Sequence, residues 1–182
     1  CLTEETTETL YLLGEERRIV GISGYTVRPP RARREEPRVS AFLSARMDRI
    51  VELKPDLVLG FSDLQAEIAR DLAKAGLNVV LFNQRSVDDI LSMILVLSSM
   101  VGAADKGAAL VARLESNLEE IREKAKAFPR RPRVYFEEWD EPMISAIRWV
   151  SELVEIAGGE DVFKELSLSQ AAAGRIVADP KQ

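Results

Sequence analysis

At 182 residues, with 46% hydrophobic and 30% charged side chains, the chain can bury a sizeable core, and disorder, collagen and disulfide-scaffold readings are excluded. Its 25 Lys and Arg against 30 Asp and Glu give a net charge of -5, so nucleic acid is not an expected partner. With no histidine and one cysteine, Cys1, it has no Ser-His-Asp or Cys-His nucleophile, no two-His zinc site, no internal disulfide and no thiolate cluster.

Leu2 to Thr9 is acidic and hydroxyl-rich, which is not the pattern of a secretory signal, and Cys1-Leu2 reads as the stub of a first strand. Thr3 to Leu13 is expected to be a helix stopped by Gly14. Arg18 to Ser23 reads as a strand, and Pro29-Pro30 among Arg28, Arg31, Arg33 and Arg34 as an exposed irregular loop. Arg46 to Leu53 predicts a short helix burying Met47, Ile50, Val51 and Leu53.

A strand-helix-strand grammar follows. Leu57 to Phe61 and Leu77 to Phe82 are continuous apolar runs, and Asp63 to Ala75 between them is helical up to Gly76, which predicts a parallel sheet. Ser86 and Asp89 read as a capping box for a helix over Val87 to Val101, ended by Gly102. The apolar stretch Ile90 to Ala104 is shorter than the roughly 20 residues of a spanning helix, so the chain is not expected to cross a membrane.

A second long helix is expected from Ala104 to Ala127, with Leu110, Leu114, Leu118 and Ile121 on one face. Pro129 and Pro132 stop it, and Arg133 to Glu138 opens a second α/β unit. Trp139 to Pro142 reads as a loop, Ile147 to Ala157 as a helix ended by Gly158-Gly159, and the stretch from Ser167 onward as a small, polar tail. One strand cannot bury itself, so this second unit looks unfinished at Gln182.

Three stretches carry a family resemblance: Thr7 to Gly14, Val20-Gly21 to Pro29-Pro30, and Ile50 to Leu59 with its Lys54-Pro55-Asp56 turn. In this order they resemble the N-terminal lobe of the periplasmic binding proteins of ABC importers for cobalamin and ferric siderophores. Ala157 to Phe163 resembles the second-lobe signature of the same family.

The resemblance implies an α/β fold: a parallel-sheet lobe over residues 1–103, a connecting helix over 104–128 and a partial second α/β lobe over 129–182. Ligand would lie in the cleft between lobes. It implies a monomeric, extracytoplasmic binder, with no cofactor of its own, that delivers a metal chelate to a membrane permease.

Position by position, the resemblance places ligand contacts on the loop after the first strand, Thr3 to Thr6, with Thr3 and Glu4 foremost, and on Tyr25, Phe42, Ser62, Trp139 and Trp149. Aromatic faces suit a planar macrocycle, which favours cobalamin or another corrinoid over a ferric siderophore. Met143-Ile144-Ser145-Ala146 stands where the family often has Tyr-Thr-Ala-Gly. Asp48 matches an acidic residue that faces permease arginines, and the second-lobe counterpart falls near Lys181.

Other readings accompany these. The arginines from Arg28 to Arg38 read as a solvated loop offset by Glu35 and Glu36, or as a holder for an anionic chelate. Glu137, Glu138, Asp140 and Glu141 are the carboxylates of an alternative in which a divalent cation serves transferase chemistry. Acylation of Cys1 is disfavoured, since a helix begins almost at once.

Overall fold

The computed structural model describes residues 1–178. It divides into two compact units. The first holds Cys1–Gln84 and Ser92–Leu110, and the second holds Arg85–Leu91 and residues from Val111 onward.

In the first unit, α1 (Glu4–Leu12) is helical despite four threonines near its start because their hydroxyls find local acceptors. Thr6 and Thr7 donate to the Thr3 carbonyl, and Thr9 donates to that of Glu5 at 2.8 Å. Gly14, at φ 70°, ends the helix as expected. The strand read at Arg18 to Ser23 is shorter: Glu16–Arg18 forms a 3-10 turn and only Ile22–Ser23 is strand, β1. Cys1 and Leu2 lie outside any strand but bond as one, Cys1 N donating to Gly21 O at 2.9 Å and Leu2 N to Leu59 O at 2.7 Å.

The arginine-proline loop contains a helical turn, α2 (Ala32–Glu35), that seats Ala32 in the interior. Two of its arginines are paired, Arg28 with Glu8 at 3.2 Å and Arg31 with Glu16 at 2.7 Å. Then come β2 (Arg38–Ala41), parallel to β1, and β3 (Ser44–Ala45), antiparallel to β2. In α3 (Met47–Glu52) Ile50 is buried, whereas Val51, expected inward, is exposed.

The parallel pair anticipated from the apolar runs is present: β4 (Val58–Phe61) lies beside β5 (Val79–Phe82), Val58 opposite Val79 through Phe61 opposite Phe82. A 3-10 turn at Asp63–Gln65 and α4 (Ala66–Lys74) connect them. Leu2, Val39, Ile50, Val58 and Leu72 form the core, and each such side chain contributes about 1.5–3 kcal/mol by leaving water.

Two helices follow, α5 (Val87–Met100) and α6 (Ala104–Ala125). Gly107 of α6 touches Ser98 of α5 so closely that a Cβ at 107 would lie 1.9 Å from Ser98 Oγ. Along α6 Leu110 is buried and Ile121, at the far end of the expected apolar face, is exposed. Among the described residues no helix is long and apolar enough to cross a membrane.

The capping box is formed. Asp89 N donates to Ser86 Oγ at 3.0 Å, and the Asp89 carboxylate accepts from Arg85 N at 3.0 Å and Ser86 N at 2.9 Å. These backbone bonds, with the Ser86 hydroxyl, hold its carboxyl below the usual carboxylate range. Stability from Asp89 is therefore present above its unfolded value and is lost as pH falls through the lower folded one. Asp89→Ala is expected to cost about 1 kcal/mol at pH 7. Urea unfolding of both proteins at pH 7 and pH 3 should show the gap narrowing in acid.

The second unit contains short strands. The expected strand Arg133 to Glu138 is split into β6 (Arg133–Val134) and β7 (Glu137–Trp139), and Trp139 ends the latter instead of lying in a loop. β7 pairs antiparallel with β8 (Ile144–Ser145). After α7 (Arg148–Ile156), β9 (Glu160–Asp161) returns parallel to β6, and α8 (Lys164–Ser167) follows.

The segment read as a polar tail is anchored instead. Arg175, in the 3-10 turn Ala172–Arg175, is buried, ion-paired to Glu138 and bonded to Ser145 O at 3.0 Å.

Candidate functional site

In an open parallel sheet, the loops leaving the carboxyl ends of the strands carry the ligand groups. In the first unit these ends are Thr3 after Leu2, Ser23 to Thr26 after β1, Phe42 after β2, Ser62 after β4, and Asn83-Gln84 after β5.

Phe42 and Phe61 stand with ring centroids 6.5 Å apart. The fully buried Gln65 fixes both backbones, accepting from Phe61 N at 3.0 Å and donating to Phe42 O at 2.8 Å. Ser62 is buried and sits at φ 60°, ψ 172°, backbone space that favours glycine. Its N–H bonds Phe82 O at 2.7 Å and its Oγ accepts from Leu64 N at 3.3 Å, so the turn after β4 is tied to β5. Tyr25 is 63% exposed, with its backbone N–H on Ser23 Oγ at 3.2 Å, so most of the ring's surface is open.

Thr3 is buried and donates to Glu5 Oε1 at 2.6 Å, while Glu4 is exposed. Glu5 is half-buried, and that burial pushes its carboxyl above the ordinary value despite the Thr3 and Gln84 bonds. Gln84 Nε2 lies 3.5 Å from Glu5 Oε1. The structure thus brings Thr3 into one polar cluster and Phe42 and Ser62 onto neighbouring loops. Glu5 lies within the Thr3 to Thr6 stretch that the resemblance marks, whereas sequence reasoning missed Gln65 and Gln84, whose side-chain amides carry no periodic or motif signal.

In the second unit Trp139 is 60% exposed, its Nε1 donating to Glu141 O at 3.0 Å, and Trp149 is half-buried on α7. The carboxylates of the transferase alternative disperse: Glu138 is taken by Arg175 and Glu137 accepts from Tyr135 at 3.2 Å. Among the described residues no group of three such side chains is placed to hold a metal ion. A groove over α6 and α7 is lined by Arg131, Arg148, Glu152, Glu155 and Lys164, but these pair with one another at 2.8 to 3.1 Å and serve the fold.

A cavity of about 230 Å³ in the first unit lies at the other ends of the strands, lined by Ile19, Gly21, Leu57 and Leu59. None of the expected ligand residues lines it. Asp48 is exposed in the first turn of α3. Lys181 lies outside the described residues.

The family described as periplasmic binding protein matches residues 1–179. The chain belongs to the periplasmic binding protein family. A vitamin B12-binding protein of Pectobacterium atrosepticum is 25% identical over 171 residues, covering 90% of this chain and 61% of that protein. An ABC transporter substrate-binding lipoprotein of Bacillus subtilis is 28% identical over 133 residues, 71% of this chain and 42% of the relative.

Among solved structures, the apo periplasmic heme-binding protein RhuT of Roseiflexus sp. RS-1 superposes with a TM-score of 0.79 at 21% identity, covering 92% of this chain and 66% of that one. That likeness shows the α/β periplasmic binding fold. The chain spans less than two thirds of the length of each of these proteins. All three carry the names of ligand- or substrate-binding proteins.

Proposed function

We propose that the chain is part of the substrate-binding component of an ABC importer, captures a corrinoid outside the cytoplasm and presents it to a membrane permease. The observation that carries this reading is the rim of the first unit. The exposed Tyr25 and the Phe42–Phe61 pair supply flat apolar faces at the strand ends, which a large macrocycle needs, while Ser62 and Thr3 lie buried behind that rim with their hydroxyls bonded to Leu64 N and Glu5.

Membership of the periplasmic binding protein family supports the transport role, and the relative named for vitamin B12 supports the ligand class. The pairing of Arg28 and Arg31 with glutamates weakens the case for an anionic ferric chelate on that loop. The proposal keeps residues 104–128 as a connecting helix. Within the second unit it keeps Trp139 and Trp149 as ligand contacts.

Two variants separate binding from delivery. Tyr25→Ala is expected to weaken cobinamide and cobalamin binding about tenfold by isothermal titration, equivalent to about 1.4 kcal/mol. Asp48→Arg is expected to leave that affinity unchanged and to impair uptake, because an exposed carboxylate on α3 would face permease arginines. Binding of a ferric hydroxamate with no response to either corrinoid would overturn the ligand assignment.

A further inference from the structure

The cavity of about 230 Å³ in the first unit lies between β1 and β4, which belong to separate sheets. Ile19 to Gly21, ahead of β1, form one side, and Leu57 to Leu59, at the start of β4, form the other. Leu10 of α1, Val39 of β2, Ile50 of α3 and Met100 of α5 give it apolar walls.

Cys1 and Leu2 are seated at one end of this cleft. Cys1 N donates to Gly21 O at 2.9 Å and Leu2 N to Leu59 O at 2.7 Å, one bond to each side, which is how the middle of three parallel strands is held. Further along the cleft, the Gly21 N–H and both backbone groups of Leu57 have no hydrogen-bond partner among the described residues, although Gly21 is buried. Buried backbone groups are almost always paired. Residues two apart in a strand face the same side, so Leu57 aims its N–H and C=O where Leu59 does, into the cleft. Burial also lowers the pKa of the Cys1 ammonium to about 6, a cost that a peptide amide at that nitrogen does not carry.

We propose that the cleft is a strand acceptor, taking an extended apolar segment joined to Cys1 and running parallel to β1 and β4. The register follows from the two bonds already made. The residue before Cys1 donates to Leu57 O as Leu2 does to Leu59 O, and the residue before that one accepts from Gly21 N. Main-chain bonds hold the segment, and its side chains are apolar on both faces because the walls cover both. The segment locks Leu2 and the turn at Thr3, so the inference goes beyond the transport reading and holds whichever ligand is carried.

Three four-residue extensions placed before Cys1 test it: Val-Ile-Val-Ile, Val-Pro-Val-Pro and Gly-Ser-Gly-Ser. The second is apolar but has no N–H at the position that meets Leu57 O. Val-Ile-Val-Ile is expected to raise the melting temperature by several degrees over the other two, and to slow hydrogen exchange at the Gly21 and Leu57 amides about tenfold.

An equal gain from Val-Pro-Val-Pro would mean that the cleft takes any apolar group, and the strand register is wrong. No gain from Val-Ile-Val-Ile, or unchanged exchange at Gly21 and Leu57, overturns the acceptor outright. A gain that grows with protein concentration assigns the segment to a neighbouring copy and overturns it as well.

Discussion

Gln65→Met is expected to lower stability by about 3 kcal/mol and to lower the melting temperature by several degrees. The replacement is nearly equal in volume, so little packing is lost. It removes the acceptor used by Phe61 N and the donor used by Phe42 O, both from a side chain with no exposed surface. Each buried bond broken on one side costs about 1–3 kcal/mol. The same substitution releases the Phe42 loop from β4, so corrinoid affinity should fall together with stability. Urea unfolding and isothermal titration on the one variant check both. A variant of unchanged midpoint would mean that Gln65 does not clamp the rim.

Gly107→Ala is expected to destabilise by about 2 kcal/mol or more, although alanine is favoured over glycine by about 1 kcal/mol inside a helix. The added methyl would lie 1.9 Å from Ser98 Oγ and 2.4 Å from Ser98 Cβ, and the second of these atoms cannot rotate away. The contact predicts its own rescue. Ser98→Gly removes both atoms, so the double variant should be more stable than Gly107→Ala alone, a non-additive result of the kind that contacting residues give. Denaturant midpoints of the wild type, the two single variants and the double variant complete the cycle; simple additivity would refute the helix contact.

The parts of the fold that could be read in the sequence are those whose cause is local. β4 and β5 are uninterrupted apolar runs because a parallel strand is covered on both faces, and the Ser86–Asp89 box is a four-residue pattern with a direct bond at each end. Gly14, Gly76, Gly102 and Gly158 all take positive φ, each after a helix.

Elements set by distant partners were not legible. The β2–β3 hairpin is short and mixed in polarity, and β2 earns its place by lying beside β1. The turn at Ala32 exists because one small side chain is seated inside, among arginines that read as solvent-facing. Arg175 looks like a surface residue until Glu138, 37 positions earlier, takes its charge.

The candidate site divides the same way. Aromatics and Ser62 at strand ends follow from the strand-helix grammar and the family resemblance. Gln65 and Gln84 are polar residues whose roles exist only once the loops meet.

The backbone at Ser62 also has a meaning for how the protein can be improved or worn down. A side chain held at φ 60°, ψ 172° is a standing cost, and glycine would remove it with the smallest possible change in composition. A library screened for heat resistance would therefore be drawn to glycine at 62. It would discard the hydroxyl that braces Leu64 N in the turn after β4. At position 62 relief of backbone strain and loss of that brace act in opposite directions, and the heat resistance of a Ser62→Gly variant would show which is larger.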